Sequence, residues 1–137
     1  MHPNTIQRVQ ASWARVQPMA DAAGALFYRN LFAADPALQP LFRGDMAVQA
    51  RRLVQMIDVA VRGLGDLPVL LPALRALGQR HEGYGVQARH YDTVGAALLA
   101  TLAQGLGEDF TPEDRDAWAE VYGALAAAMQ AQPVELA

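Results

Sequence analysis

Apolar residues in this chain recur three and four positions apart for most of its length, the spacing of one face of an α-helix. The first such run reaches to about Gln17, with Asn4 or Thr5 as its expected cap. A second extends from about Pro18 to Ala34 and puts Gly24, Tyr28, Leu31 and Phe32 on one face. Asp35-Pro36 breaks it, and PALQPLF reads as a short helical turn. A third, from about Met46 to Leu64, stacks Gln49, Leu53, Met56, Ile57, Ala60 and Leu64. Gly63, Gly65 and Pro68 interrupt, and a fourth over about 68–82 aligns Leu70, Leu74, Leu77 and His81 until Gly83 and Gly85 stop it. A fifth, from about Gln87 to Gly105, carries Tyr91, Val94, Leu98, Thr101 and Leu102 on one side. Thr111-Pro112-Glu113-Asp114 is a strong helix start: threonine caps, proline sits first, and the acids complement the helix dipole. The run that follows keeps Trp118, Val121, Tyr122, Leu125 and Met129 in register. No segment alternates convincingly with period two, so the expected class is all-α.

Composition narrows the chemistry. At 137 residues, 53% of them hydrophobic, the chain has the length and apolar content of one domain with its own core, expected over 1–137. There is no internal repeat or low-complexity tract. The net charge of −3 and the lack of a basic cluster argue against nucleic acid as a partner. Every cation is arginine, so no lysine amine is available for Schiff-base chemistry. The absence of cysteine removes disulfides, thiolate metal sites and cysteine nucleophiles together. The start, MHPNTIQRVQASW, has no basic region followed by an apolar one, and no apolar run approaches the ~20 residues of a membrane span. The expectation is a soluble, cytoplasmic protein with no membrane partner.

The three histidines then carry the interest. His81 follows Leu77 by four and Leu74 by seven, and so points where the core points. A histidine placed in this way is either a core side chain satisfied by a backbone carbonyl or a metal ligand. Ligation by several side chains fits poorly: His81 and His90 share no helix, His2 lies near a terminus, and no acid completes a site at helical spacing. One imidazole suffices when a cofactor supplies the other ligands, as haem does.

Five blocks decide the matter. GALFYRNLF, LQPLF, LGQRHEGYGV, HYDTVGAALLATL and DAWAEVYG resemble, in order and at the expected separations, blocks of bacterial single-domain haemoglobins. These are similar to the haem domain of flavohaemoglobins, and the chain also resembles the Hell's Gate globin type. The resemblance covers nearly the whole chain. It implies a globin fold, with helices packed around one haem pocket at crossings of about 50°. It implies haem b as cofactor, with His81 as the proximal iron ligand and the Leu77 carbonyl, one turn back, available to the other ring nitrogen. Phe42 matches a phenylalanine that stacks on the porphyrin. Gln49 and Leu53 match two distal positions, Tyr28 matches a distal tyrosine, and Ile57, Val86 and Val94 fall among the cofactor contacts. Gly24 and Ala50 are small enough to let the second helix cross close to the third. Arg52 and Arg80 flank the pocket, as partners of the haem propionates or as solvated surface side chains. Tyr91 matches a proximal tyrosine that in flavohaemoglobins joins a glutamate on the last helix. Here that place falls at about Pro133, with Glu135 out of helical register, so the electron-donating proximal network is in question. His90 is expected to cap a helix or lie at the surface.

The resemblance also implies a function. A bound oxygen molecule carries negative charge on its outer atom, and a phenol and an amide can both donate to it. Hydrogen bonds to charged groups contribute about 1.5–3 kcal/mol each, so Tyr28 and Gln49 together slow oxygen loss about a hundredfold or more. Carbon monoxide, being less polar, gains less. The expectation is a haem protein that binds oxygen and other diatomic ligands reversibly and tightly. One alternative is nitric oxide dioxygenase activity on nitric oxide, with a separate reductase. A gas sensor is a further one. As an assembly, a monomer or a homodimer is expected.

Overall fold

The computed structural model describes residues 2–42, 44–83 and 85–130, which form six α-helices joined by short 3-10 turns, with no strand among them. Helix α1 spans Pro3–Val16. Its cap is neither Asn4 nor Thr5 but His2, whose Nδ1 accepts from the Asn4 backbone N–H at 3.0 Å. Pro3, lacking an N–H, takes the first helical position, where none is needed. Pro18 turns Gln17–Met19 into a 3-10 turn, so α2 starts at Ala20 rather than Pro18 and runs to Ala34. The Asp35 carboxylate then accepts from Ala37 N at 3.1 Å and caps the 3-10 turn Pro36–Leu41. Asp45 does the same for α3, Met46–Arg62, through Ala47 N at 2.8 Å.

Helix α4 spans Leu67–Gly83, with Pro68 in its first turn. Helix α5, Ala88–Leu106, opens on a capping box in which the Gln87 backbone N–H donates to His90 Nδ1 at 2.9 Å. His90 is therefore a cap, and a buried one rather than a surface side chain. Helix α6, Pro112–Gln130, starts as expected, with Thr111 Oγ1 accepting from Asp114 N at 3.1 Å.

Helix α1 packs on α6, α2 lies across both α5 and α3, and α4 rests on α6. The core between them holds Val9, Trp13, Leu31, Trp118 and Val121. Its few polar atoms are satisfied internally: Trp118 Nε1 donates to buried Ser12 Oγ at 2.7 Å. Asp58 ties α3 to the end of α1, accepting from Trp13 Nε1 at 3.1 Å, from Gln17 Nε2 and from Arg62 Nε at 3.1 Å. Asn30 Nδ2 donates to Thr101 Oγ1 at 3.0 Å and links α2 to α5.

Two close approaches set the helix spacing. A methyl on Gly24 would lie 3.0 Å from the Ala50 Cβ, so the α2–α3 crossing is as tight as the small residues there suggest. A methyl on Gly78 would collide with the backbone carbonyl of Met129, so α4 lies almost backbone to backbone on α6. Helices α3 and α4 lean on different partners and share no extended packing with each other.

Candidate functional site

The apolar residues expected to contact a cofactor are half-buried in the structure. Leu53 and Ile57 on α3, Val94 on α5 and Phe42 after the 3-10 turn each pack against the core while keeping part of their surface open. Gln49, Leu77, His81, Val86 and Tyr91 are likewise half-buried. A shared partial exposure suits walls that close on a large apolar ligand.

On α4, His81 Nδ1 stands 2.8 Å from the Leu77 carbonyl oxygen. A carbonyl can only accept, so Nδ1 carries the ring proton and donates it. In the tautomer that carries its proton there, the lone pair is on Nε2, the nitrogen a metal would use. Both readings of His81, as a side chain satisfied by a carbonyl and as a ligand, are compatible in this geometry. Among the described residues no three of His, Asp and Glu are grouped to hold a metal ion. An iron at Nε2 would therefore depend on its own macrocycle for the other ligands. This donor set fits a haem and does not fit a protein-built metal cage.

Tyr28 stands on α2, 8% exposed, with its ring held among Phe27, Phe32 and Phe42. The hydroxyl makes no hydrogen bond within the described residues, although every fully buried side-chain oxygen or nitrogen among them has a partner. The hydroxyl thus keeps some open surface. It is not tied to a carbonyl, as a purely structural tyrosine would be. Burial raises its pKa from 10.0 to about 12, so at neutral pH it is a protonated donor. The Gln49 amide lies on the adjacent helix, on the same stripe as Leu53.

Arg52 and Arg80 are exposed, and neither is paired with an acid of the described chain, where the ion pairs are Arg8–Asp114 and Arg62–Asp58. Both are open to an external carboxylate. Between α5 and α6, the Tyr122 hydroxyl donates to the Tyr91 carbonyl at 2.6 Å. Burial, with the charge of Glu82 second, raises the pKa of Tyr91. Pro133 and Glu135 lie outside the described residues. Sequence reasoning left Phe32, which packs on Tyr28 and Phe42, out of this region. Phe32 did carry a signal, being one turn after Tyr28 on the same face.

The tyrosines make alkaline stability informative. Burial raises the pKa of Tyr122 as well, with Tyr91 and then Asp92 adding to it. The folded state holds these phenolic protons more tightly than the unfolded chain does. The resulting stability is fully present below the unfolded value of 10.0 and is lost as pH rises toward about 12. With no lysine or cysteine in the chain, tyrosine dominates titration in this window. The urea midpoint is expected to hold up to about pH 10 and to fall above it, with Tyr28→Phe removing part of the fall. A flat midpoint between these limits would contradict the burial of both phenols.

Comparison with known proteins gives consistent results. The profile of the family described as Globin matches residues 25–129. The chain is 32% identical over 129 residues to proteins named flavohemoprotein from Bordetella parapertussis and Bordetella bronchiseptica, an alignment covering 92% of this chain and 32% of each relative. It thus spans about a third of their length. It is also 30% identical over 135 residues to a neuroglobin of Dissostichus mawsoni, covering 88% of this chain and 85% of that protein.

Proposed function

The chain belongs to the globin family, whose members bind haem and small gas ligands, and from that premise we propose that it holds haem b between α3 and α4 and retains oxygen on it. His81 would ligate the iron, and Tyr28 and Gln49 would hold the gas. The haem supplies an iron coordination position for a diatomic ligand. The chain's own residues do the rest. The Leu77 carbonyl fixes the His81 ring and keeps its Nε2 basic. Leu53, Ile57, Val86 and Val94 exclude water, Phe42 covers the porphyrin, and Arg52 and Arg80 pair with its carboxylates.

The observation that carries this reading is Tyr28: its ring is buried, its hydroxyl is protonated and keeps some open surface, and no described residue hydrogen-bonds to it. A donor of this kind favours a ligand whose outer atom is negative. Tyr28→Phe keeps the shape and removes the donor. Oxygen dissociation is then expected to quicken by about ten- to a hundredfold, from the loss of about 1.5–3 kcal/mol. Gln49→Leu gives a smaller increase, and the double variant less than the sum if both donate to one acceptor. Stopped-flow displacement of oxygen by carbon monoxide measures all three. Release at the unaltered rate from Tyr28→Phe would make the tyrosine structural.

The likeness to flavohemoproteins favours one further reading, conversion of nitric oxide to nitrate. One nitric oxide, one oxygen molecule and one electron give one nitrate, the electron coming from a reductase. Tyr28 and Gln49 would hold the oxygen in place for that attack. Sustained nitric oxide consumption with a reductase present separates this reading from simple retention.

A further inference from the structure

We propose that Phe32 is a positioning residue, which sets where the Tyr28 hydroxyl points although it carries no polar atom of its own. The inference rests on the reading of Tyr28 as the donor to bound gas. It starts from the lack of any polar restraint on that hydroxyl: within the described residues no hydrogen bond holds it. What fixes the phenol must be the packing of its ring.

That packing is aromatic on three sides. Phe27 meets the ring edge-on at 5.2 Å and 80°, and Phe42 does so at 5.3 Å and 73°. Phe32 lies against it at 5.8 Å and 33°. Phe32 and Phe42 meet edge-on at 5.5 Å and 64°, so Tyr28, Phe32 and Phe42 form a closed triangle of rings. Phe27 is buried to 4% exposure in the core. Phe42 follows the 3-10 turn and has a second role covering the cofactor. Phe32 belongs to α2 itself, one turn beyond Tyr28, and has no assigned role beyond the triangle. Behind the tyrosine, Gly24 presses on Ala50, so α2 cannot shift as a body to compensate. Removing the Phe32 ring opens space beside the phenol and also frees Phe42 of a partner. The phenol then gains orientations in which its O–H misses the ligand.

The test is a cycle of variants on the full haem-loaded protein. Phe32→Leu is expected to quicken oxygen dissociation about two- to tenfold, the scale of a lost aromatic pair. It should leave carbon monoxide dissociation within about twofold. In the Tyr28→Phe background the same change should have no effect on oxygen, because no donor is left to misplace. The infrared C–O stretch of the carbon monoxide complex gives a readout apart from rates. Phe32→Leu should move it toward the Tyr28→Phe value, whereas Phe32→Tyr, which keeps the ring, should leave it in place. If Phe32→Leu does not fold, Phe32→Met carries the same expectations.

An equal acceleration in both backgrounds, or none in either, would overturn the inference while leaving the donor role of Tyr28 intact. If Tyr28→Phe itself changes neither the rate nor the stretch, the donor reading fails and the inference falls with it.

Discussion

His81→Gly is expected to lose haem to a competing apoprotein at least about 10–100-fold faster than the unaltered protein, the scale on which even an outer partner of a ligating histidine matters. Added imidazole should restore much of the difference. The apolar side chains of the proposed site remain in this variant, so porphyrin still partitions onto them through buried area alone. What disappears is the one protein bond to iron. The other two histidines are engaged elsewhere: His2 caps α1, and His90 caps α5 with its Nδ1 committed to the Gln87 backbone; among the described residues no group of three acids or histidines converges. Free imidazole fits the space left by the deleted ring and presents the same nitrogen. Haem transfer followed by absorbance, with and without imidazole, reads the effect. An unchanged ferrous spectrum and unchanged retention in the variant would sink the assignment. The same experiment bears on stability: haem binds the folded chain and not the unfolded one, so each tenfold loss in affinity removes about 1.4 kcal/mol of stabilisation at excess haem.

Much of this site follows from helical phase. The stripes that carry Gln49 with Leu53, and Leu77 with His81, are set by spacings of four within one helix, a local property. The caps at Asp45 and Thr111 are local too. Chemistry was less accessible. A tyrosine on an apolar face reads equally well as core, and only the resemblance singled out Tyr28. The structure adds that no described residue hydrogen-bonds to its hydroxyl, which no spacing could reveal. Contacts between distant segments were invisible. Asp58 looks like the acid of a surface ion pair with Arg62, yet it also accepts from Trp13 and Gln17 on another element. His90 is a polar residue near a helix start, and its burial depends on what the fold lays over it. Phe32 had the right phase, but apolar phase alone does not separate a core ring from one that steers its neighbour. The N-terminal boundaries moved because proline at 3 and at 18 each acts locally in a way that periodicity does not register.

Gly78 went unmarked because its approach to Met129 is a contact between distant segments, and it supports the other large expected effect. Gly78→Ala and Gly123→Ala make one chemical change inside two helices, with opposite expected signs. At Gly123, on the exposed face of α6, nothing lies within 4 Å of an added methyl. Alanine there restricts the unfolded chain and suits the helix, a gain of about 0.5–1 kcal/mol. At Gly78 the same local gain is available, but the methyl runs into the Met129 backbone carbonyl. A side chain could rotate away from such a collision, whereas a helical carbonyl moves only with its helix. Either α4 or the end of α6 must shift, and overpacking of this kind costs about 1–3 kcal/mol or more, which outweighs the gain. The shift also reaches the site. Leu77, whose carbonyl holds the His81 ring, is the preceding residue, so a displaced α4 carries both away from the position the cofactor requires. Gly78→Ala should therefore lower the urea midpoint and also weaken haem retention, while Gly123→Ala raises the midpoint and leaves retention alone. Equal midpoints for the two variants would mean that α4 and α6 do not approach as closely as Gly78 implies.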